Sequence, residues 1–307
     1  MEGIVLRSTG SWYDVRTPQG DSYKCRLRGK LRLKGFKTTN PVAVGDRVHF
    51  EIEDEASKSG LIVDIEARRN YIIRQSVHRT AHAHLIACNI DQAILIATLA
   101  MPRTSFGFID RFLVSCEAYD VPAVIVFNKT DILTDEGLAY QAEIMDMYTS
   151  IGYRCLDTSV TKHYHIDEFR ALLDGKISLL SGHSGVGKSS LINAIKPELN
   201  LKTSEISHYS QKGKHTTTFA EMFELWENTF IIDTPGIKEM GLVDISPQEL
   251  SHYFPEMRQY LGECKFHNCM HVHEPGCAVR EAFERGEIAD TRYHSYLSML
   301  ENHDNRR

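Results

Sequence analysis

What this chain lacks narrows its class before anything it contains. No stretch approaches the roughly 18 consecutive apolar residues that a membrane-spanning helix needs. The opening Met-Glu-Gly-Ile-Val-Leu-Arg has no basic segment followed by an apolar run. The expectation is a chain that is neither membrane-spanning nor exported by a signal peptide. An even set of cysteines is also missing: of seven, Cys25, Cys88, Cys116 and Cys155 are scattered, while Cys264, Cys269 and Cys277 crowd together. That count disfavours a disulfide framework and suggests reduced thiols in a cytoplasm plus one metal site. With 42% hydrophobic and 25% charged residues over 307 positions, the remainder reads as an ordinary globular chain. Its length suits about two domains and a small metal module.

Acidic residues are absent between Lys24 and Lys37, where Lys24, Arg26, Arg28, Lys30, Arg32, Lys34 and Lys37 fall mostly at every second position. On an extended segment this spacing sets the charges on one side, as a phosphate backbone requires. The bland alternative is a solvated basic face that binds nothing. The net charge of −6 hides the same asymmetry: residues 1–80 hold 15 Lys and Arg against 10 Asp and Glu, or +5, leaving 20 against 31, or −11. The basic end and the acidic remainder should have different partners.

From Gly3 to Ile65 five short β-type runs are broken by turn residues such as Thr17-Pro-Gln-Gly20 and Asn40-Pro41, with no helical period. They predict a small closed barrel of the OB type, which often carries nucleic acid, so RNA contact is favoured over the bland alternative. A linker with His78, His82 and His84 should follow. No cysteine or carboxylate joins those histidines closely, so a surface linker is preferred to a metal site.

From about 89 to 234 apolar strands alternate with helices expected at 108–119, 137–150 and 166–173, the pattern of a mostly parallel sheet covered on both faces. One strand runs into Gly182-His-Ser-Gly-Val-Gly-Lys-Ser189 and then a helix stopped by Pro197. That is the spacing and context of a phosphate-binding loop. Its glycines let successive N–H groups face phosphates, Lys188 would reach the β- and γ-phosphates, and the Ser189 hydroxyl would hold Mg²⁺. The full nucleotide-binding set expected here is Gly182, His183, Ser184, Gly185, Val186, Gly187, Lys188, Ser189 and Ser190.

Directly after another strand comes Asn128-Lys-Thr-Asp131, including Lys129 and Thr130. The Asp131 carboxylate can accept from the N1–H and the exocyclic amine of guanine, which adenine cannot match. Asn128 would fix the loop, and the stem of Lys129 can lie along the base. Ser159 and Val160, after the next strand, would supply backbone N–H groups to the guanine oxygen. Downstream, Asp233-Thr-Pro-Gly236 ends a strand. Asp233 would reach Mg²⁺ through a water and the Gly236 N–H would sense the γ-phosphate. The polar stretch 212–218 reads as a switch whose Thr217 closes over Mg²⁺. These are the parts of a GTPase in an unusual order, because the guanine motif precedes the phosphate loop. The sheet must be circularly permuted, which is tolerable when the original termini lie close together.

A glutamine is missing as well. Many GTPases orient the attacking water with a Gln after Asp-x-x-Gly, and here Ile237 takes that place. Intrinsic hydrolysis should be slow, and His215, beside the switch threonines, is the candidate to orient water. The alternative is that His215 is merely an exposed switch residue. Near the end, Cys264, Cys269 and Cys277 lie with His267, His271 and His273 within fourteen residues, enough for a tetrahedral structural zinc site. Spacing alone does not choose among the histidines. Helices are expected from Ser246, across 278–285 and across 288–300.

The motifs Asn128-Lys-Thr-Asp131, Gly182-His-Ser-Gly-Val-Gly-Lys-Ser-Ser190, His215-Thr-Thr-Thr218 and Asp233-Thr-Pro-Gly236 resemble, in kind and order, those of the RsgA (YjeQ/YloQ) family of circularly permuted GTPases. The resemblance covers essentially the whole chain. It selects His271 as the fourth zinc ligand beside Cys264, Cys269 and Cys277. It implies an N-terminal all-β OB-type barrel (1–70), a linker (71–88), an α/β circularly permuted P-loop GTPase domain (89–240) and a C-terminal α-helical zinc module (241–307). It further implies GTP/GDP, Mg²⁺ and one structural Zn²⁺. Its partner would be the small ribosomal subunit, through rRNA and ribosomal proteins, with the enzyme acting in subunit maturation. A cytoplasmic monomer that contacts no membrane is expected. The rival readings are an RNA-binding module with a merely structural nucleotide site, and a GTPase of tRNA or translation.

Overall fold

The computed structural model describes residues 1–29, 41–74, 84–199, 220–233 and 245–301. Alternation of inward apolar and outward polar side chains builds β1 (Glu2–Ser8), β2 (Tyr13–Arg16), β3 (Ser22–Leu27), β4 (Arg47–Asp54) and β5 (Ser59–Ile65). On β3, Tyr23 and Cys25 are buried while Ser22, Lys24 and Arg26 are exposed. The strands run in the order β1-β2-β3-β5-β4, and β4 returns to pair with β1, closing the expected five-stranded barrel. Its core holds Val5, Val15, Val48, Phe50 and Ile62.

The stretch expected to be a linker contributes structure of its own. β6 (Tyr71–Arg74) pairs antiparallel with β7 (His84–Cys88), while His78 and His82 lie outside the described residues. A buried ion pair lies where the chain leaves the barrel for this hairpin: the Arg68 Nε and Nη2 each lie 2.8 Å from an oxygen of Asp46. The Cys88 thiol donates to the same carboxylate at 3.0 Å.

The following elements are β8 (Gln92–Ala97), α1 (Phe106–Ala118), β9 (Ala123–Asn128), α2 (Asp135–Ser150), β10 (Arg154–Thr158), α3 (Ile166–Leu173), β11 (Ile177–Ser181), α4 (Lys188–Ile195), β12 (Glu221–Trp226) and β13 (Thr229–Asp233). They form a sheet ordered β10-β9-β8-β11-β13-β12, parallel except for the β12–β13 pair. Every residue of β8 is buried, as coverage on both faces demands. Ile109, Phe112, Ile144 and Tyr148 of α1 and α2 pack on one face. Phe169, Leu172, Leu191 and Ile192 of α3 and α4 pack on the other. Ser105 and Thr134 cap α1 and α2, accepting from the N–H of Phe108 and Gly137, so both helices begin two residues earlier than the expected 108 and 137. The barrel joins this sheet where β1 meets β12 at Arg7 and Glu221, giving eleven continuous strands. An Arg16–Glu224 ion pair at 2.6 Å supports the seam.

The C-terminal segment holds a 3-10 turn (Leu250–Tyr253) and helices α5 (Pro255–Arg258), α6 (Ala278–Glu284) and α7 (Asp290–Leu300). No helix begins at Ser246: its N–H and hydroxyl both donate to the Glu249 carboxylate, closing a turn instead. α7 docks on α1 through a fully buried Arg292, whose Nη1 meets Asp110 at 2.7 Å and whose Nε meets Glu256 at 2.6 Å. The Phe254 ring lies 4.5 Å from this guanidinium, and the Tyr148 hydroxyl also donates to Asp110. Among the described residues no helix is long and apolar enough to cross a membrane.

Candidate nucleotide site and metal centre

β11 delivers the chain into the phosphate loop, where two glycines are required by close approach rather than by flexibility. Gly182 has φ +140°, and a side chain there would come within 2.3 Å of the Ile96 carbonyl oxygen. Gly187 has φ +99°, and a side chain there would come within 2.3 Å of the Asn128 amide nitrogen. That second contact exists because Asn128, at the end of β9, donates to the Val186 carbonyl at 2.8 Å. Its oxygen accepts from the Thr158 hydroxyl at 3.0 Å. One buried amide therefore clamps the guanine motif, the end of β10 and the phosphate loop together.

Lys188 curls over the loop, donating to the carbonyls of Gly182 and His183 at 2.6 and 2.8 Å. Ser189, one residue on, is buried, and the His183 ring packs 3.9 Å from that of Phe108 on α1. Lys129, with φ +66°, reaches the Met101 carbonyl at 2.9 Å. The Thr130 hydroxyl donates to the Thr158 carbonyl at 3.3 Å.

Asp131 accepts from the Ser159 hydroxyl at 2.6 Å, and this bond holds its carboxyl below the usual carboxylate range. The Asp131 carboxylate is thereby kept ionised and held in place. The Ser159 N–H is already engaged with the Tyr164 carbonyl at 3.1 Å. The sequence reading placed Ser159 as a backbone donor; the structure adds its hydroxyl as the positioner of Asp131. Asp233 ends β13, and nothing further is described of its side chain. Thr217, His215, Gly236 and Ile237 lie outside the described residues.

The metal residues converge. Cys264, Cys269, His271 and Cys277 place one ligand atom each within 4.8 Å of one another. Cys264 Sγ lies 3.9 Å from Cys277 Sγ and 3.6 Å from His271 Nδ1, which is 3.3 Å from Cys277 Sγ. Bonds of about 2.3 Å to sulfur in a tetrahedron set S···S edges near ~3.8 Å, so the donor set fits a closed zinc site. His271 is buried whereas His273 is exposed. Burial holds His271 below the usual imidazole range, favouring the neutral ring that ligates metals. Tyr293 and Tyr296 donate to the carbonyls of His271 and Met270 at 2.6 and 2.8 Å. Glu274 accepts from the N–H groups of Met270, Val272 and His273, an arrangement that lowers its carboxyl to about 2.

On the barrel, Lys24, Arg26 and Arg28 lie on or just after β3, while Lys30, Arg32, Lys34 and Lys37 lie outside the described residues. Arg26 and Arg28 face Glu53 and Glu51 at 3.3 and 2.9 Å, and Arg26 also sits 5.1 Å from the exposed Trp12 ring. The spacing found these cations but not the acids opposite them on β4. Two further features escaped the sequence reading, the Asp46–Arg68 pair and the Arg292–Asp110–Glu256 network. Neither left a signal in the sequence: Asp46 and Arg68 lie outside any helix, Asp110 is followed by Arg111, and Arg292 stands two residues from Asp290 among polar neighbours.

A parallel sheet whose guanine motif precedes its phosphate loop, set between a closed barrel and a Cys₃His cluster, defines a circularly permuted GTPase. Residues 65–243 match the family model described as RsgA GTPase, and residues 2–62 match that of the RsgA N-terminal domain. A protein of Cytophaga hutchinsonii called small ribosomal subunit biogenesis GTPase RsgA is 55% identical over 307 residues, covering 100% of both chains. A protein of the same name from Flavobacterium johnsoniae is 50% identical over 302 residues, 98% of this chain and 93% of that one. The crystal structure of YjeQ from Thermotoga maritima superposes with a TM-score of 0.78 at 36% identity, covering 100% of this chain and 99% of that one. That of YloQ, described as a circularly permuted GTPase, gives 0.74 at 29%, covering 100% and 96%. The chain belongs to the RsgA GTPase family. With that family come GTP and GDP as nucleotides and Mg²⁺ as their ion.

Proposed function

We propose that this chain binds the small ribosomal subunit, assists its late maturation, and hydrolyses GTP to GDP and phosphate to time its own release. The observation that carries the nucleotide part is the Asn128 clamp, which ties guanine recognition to the phosphate loop through one buried side chain. The names of relatives 50–55% identical over nearly the whole chain support the partner.

In this reading Asp131, kept ionised by Ser159, accepts from the N1–H and amino group of guanine. Because the Ser159 N–H is engaged with Tyr164, Val160 is the better donor for the guanine oxygen. Lys188 exchanges its two loop carbonyls for the β- and γ-phosphate oxygens, and the Gly236 N–H meets the γ-phosphate. Ser189 and Thr217 would hold Mg²⁺, with Asp233 reaching it through a water. When bound, that ion neutralises charge developing on the phosphate oxygens. His215 accepts a hydrogen bond from the attacking water, since Ile237 has no polar atom. Cys264, Cys269, His271 and Cys277 hold one structural Zn²⁺, and the basic stretch 24–37 meets rRNA phosphates. The active form is a cytoplasmic monomer.

Steady-state GTP turnover, measured alone and with purified small subunits, tests the reading. Slow hydrolysis alone and strong stimulation by small subunits are expected; absence of stimulation removes the partner. His215→Ala should abolish most of the stimulated rate with GTP affinity nearly intact, and an unchanged stimulated kcat would remove His215 from its role.

A further inference from the structure

Between the metal-binding turn and the 3-10 turn at Leu250–Tyr253 lies a cleft of 370 Å³ whose lining includes the metal residues Cys264, Cys269 and His271, so a bound metal would fill part of it, and its exposed walls have no part in the GTPase reaction. Phe266, His267 and Asn268 form one wall, and Gln248 and His252 form the other. All five are exposed. The side chains of Gln248, His267 and Asn268 make no hydrogen bond among the described residues. No carboxylate lines the cleft, although the chain carries a net charge of −6. Glu249, the nearest acid in sequence to Gln248, is turned away onto Ser246.

The exposure of Phe266 is imposed by its surroundings. It lies between the metal residues Cys264 and Cys269, the Cys269 N–H donates to the Phe266 carbonyl at 3.2 Å, and the Lys265 N–H donates to Gly276 at 2.9 Å. A ring 42% exposed on a turn fixed at both ends contributes little to the core. It offers a rigid flat face at low entropic cost, with the Lys265 ammonium 5.6 Å from its centre. A flat aromatic face, primary amides at Gln248 and Asn268, and the Lys265 ammonium beside the ring are the chemistry that takes an unpaired base. The ring stacks on it, the amides read its edge, and the ammonium meets its phosphate.

We infer that this cleft binds one unpaired nucleotide of single-stranded RNA. The inference deepens the proposed function and rests on it for the source of that RNA. The zinc-loaded full chain is titrated into fluorescein-labelled single-stranded RNA octamers and a duplex of the same length, and anisotropy is read. The same chain is co-sedimented with small subunits. Phe266→Ala should weaken octamer binding roughly 5- to 150-fold, the range for removing one base stack. Phe266→Trp should retain binding, Asn268→Ala should alter base preference, and the duplex, whose base faces are covered, should bind less well. Zinc content checks that the turn remains folded.

Equal octamer affinity in wild type, Phe266→Ala and Asn268→Ala overturns the cleft while leaving subunit binding intact. Octamers that fail to bind, beside a Phe266→Ala defect with whole subunits, also overturn it, because the occupant is then a protein. Octamer binding that follows the variants, with no wild-type binding to small subunits, upholds the cleft and removes the partner in the proposed function.

Discussion

Asn128 is the side chain on which the most geometry converges. It is 4% exposed, its amide nitrogen donates to Val186 and its oxygen accepts from Thr158, so truncation strands two partners at once. A buried group left without its partner costs about 1–3 kcal/mol. The stranded Val186 carbonyl belongs to the phosphate loop itself. Asn128→Ala is expected to weaken GDP binding about 10- to 100-fold, since each 1.4 kcal/mol is a factor of ten in affinity. Isothermal titration checks this, and an affinity within twofold of wild type would mean the clamp does not organise the loop. The role of Asn128 as a fixing residue was legible in the Asn-Lys-x-Asp spacing. Which loop it fixes was not, because Val186 is 58 positions away and only the parallel order of β8, β9 and β11 brings them together.

At the scale of elements, sequence periodicity predicted the helices and strands well and their partnerships poorly. The apolar period of α1 marks Ile109, Phe112 and Leu113 as core, and they are. The same period gives no hint that Asp110 is also buried, because its partner Arg292 is 182 positions away on α7. Desolvation raises the Asp110 carboxyl above its usual range even with Arg292 beside it. Without that guanidinium two carboxylates, Asp110 and Glu256, would share a dry pocket. Removing one partner of such a buried network costs about 3–5 kcal/mol, whereas replacing all its charges by neutral groups can be close to neutral. Arg292→Met should therefore lower the unfolding free energy by about 3–5 kcal/mol in urea denaturation. Adding Asp110→Asn and Glu256→Gln to it should recover a large part. If the single variant is as stable as wild type, α7 is not held to α1 by this network.

The whole molecule is divided energetically along lines that the continuous sheet conceals. The barrel core, the two faces of the GTPase sheet and the C-terminal module form four separate apolar clusters, and the last takes only Val114 from α1 into its core. A module of that size has little apolar surface to bury, so a metal at Cys264, Cys269, His271 and Cys277 would contribute much of its folding free energy. Stripping the metal with a thiol-directed reagent and a chelator should release one zinc per chain. It should also free the phenols of Tyr293 and Tyr296 from the carbonyls of His271 and Met270, changing the near-ultraviolet circular dichroism. GDP affinity should shift by no more than about threefold, because Asn128, Lys188 and Asp131 take their contacts from other clusters and a ligand stabilises only the fold it binds. Small-subunit binding should fall with the module. An unchanged tyrosine signal after complete metal release would mean that the module is held by its packing on α1 alone. A collapse of GDP binding would instead mean that α1, which touches the phosphate loop at Phe108–His183 and the module at Asp110–Arg292, carries the loss across.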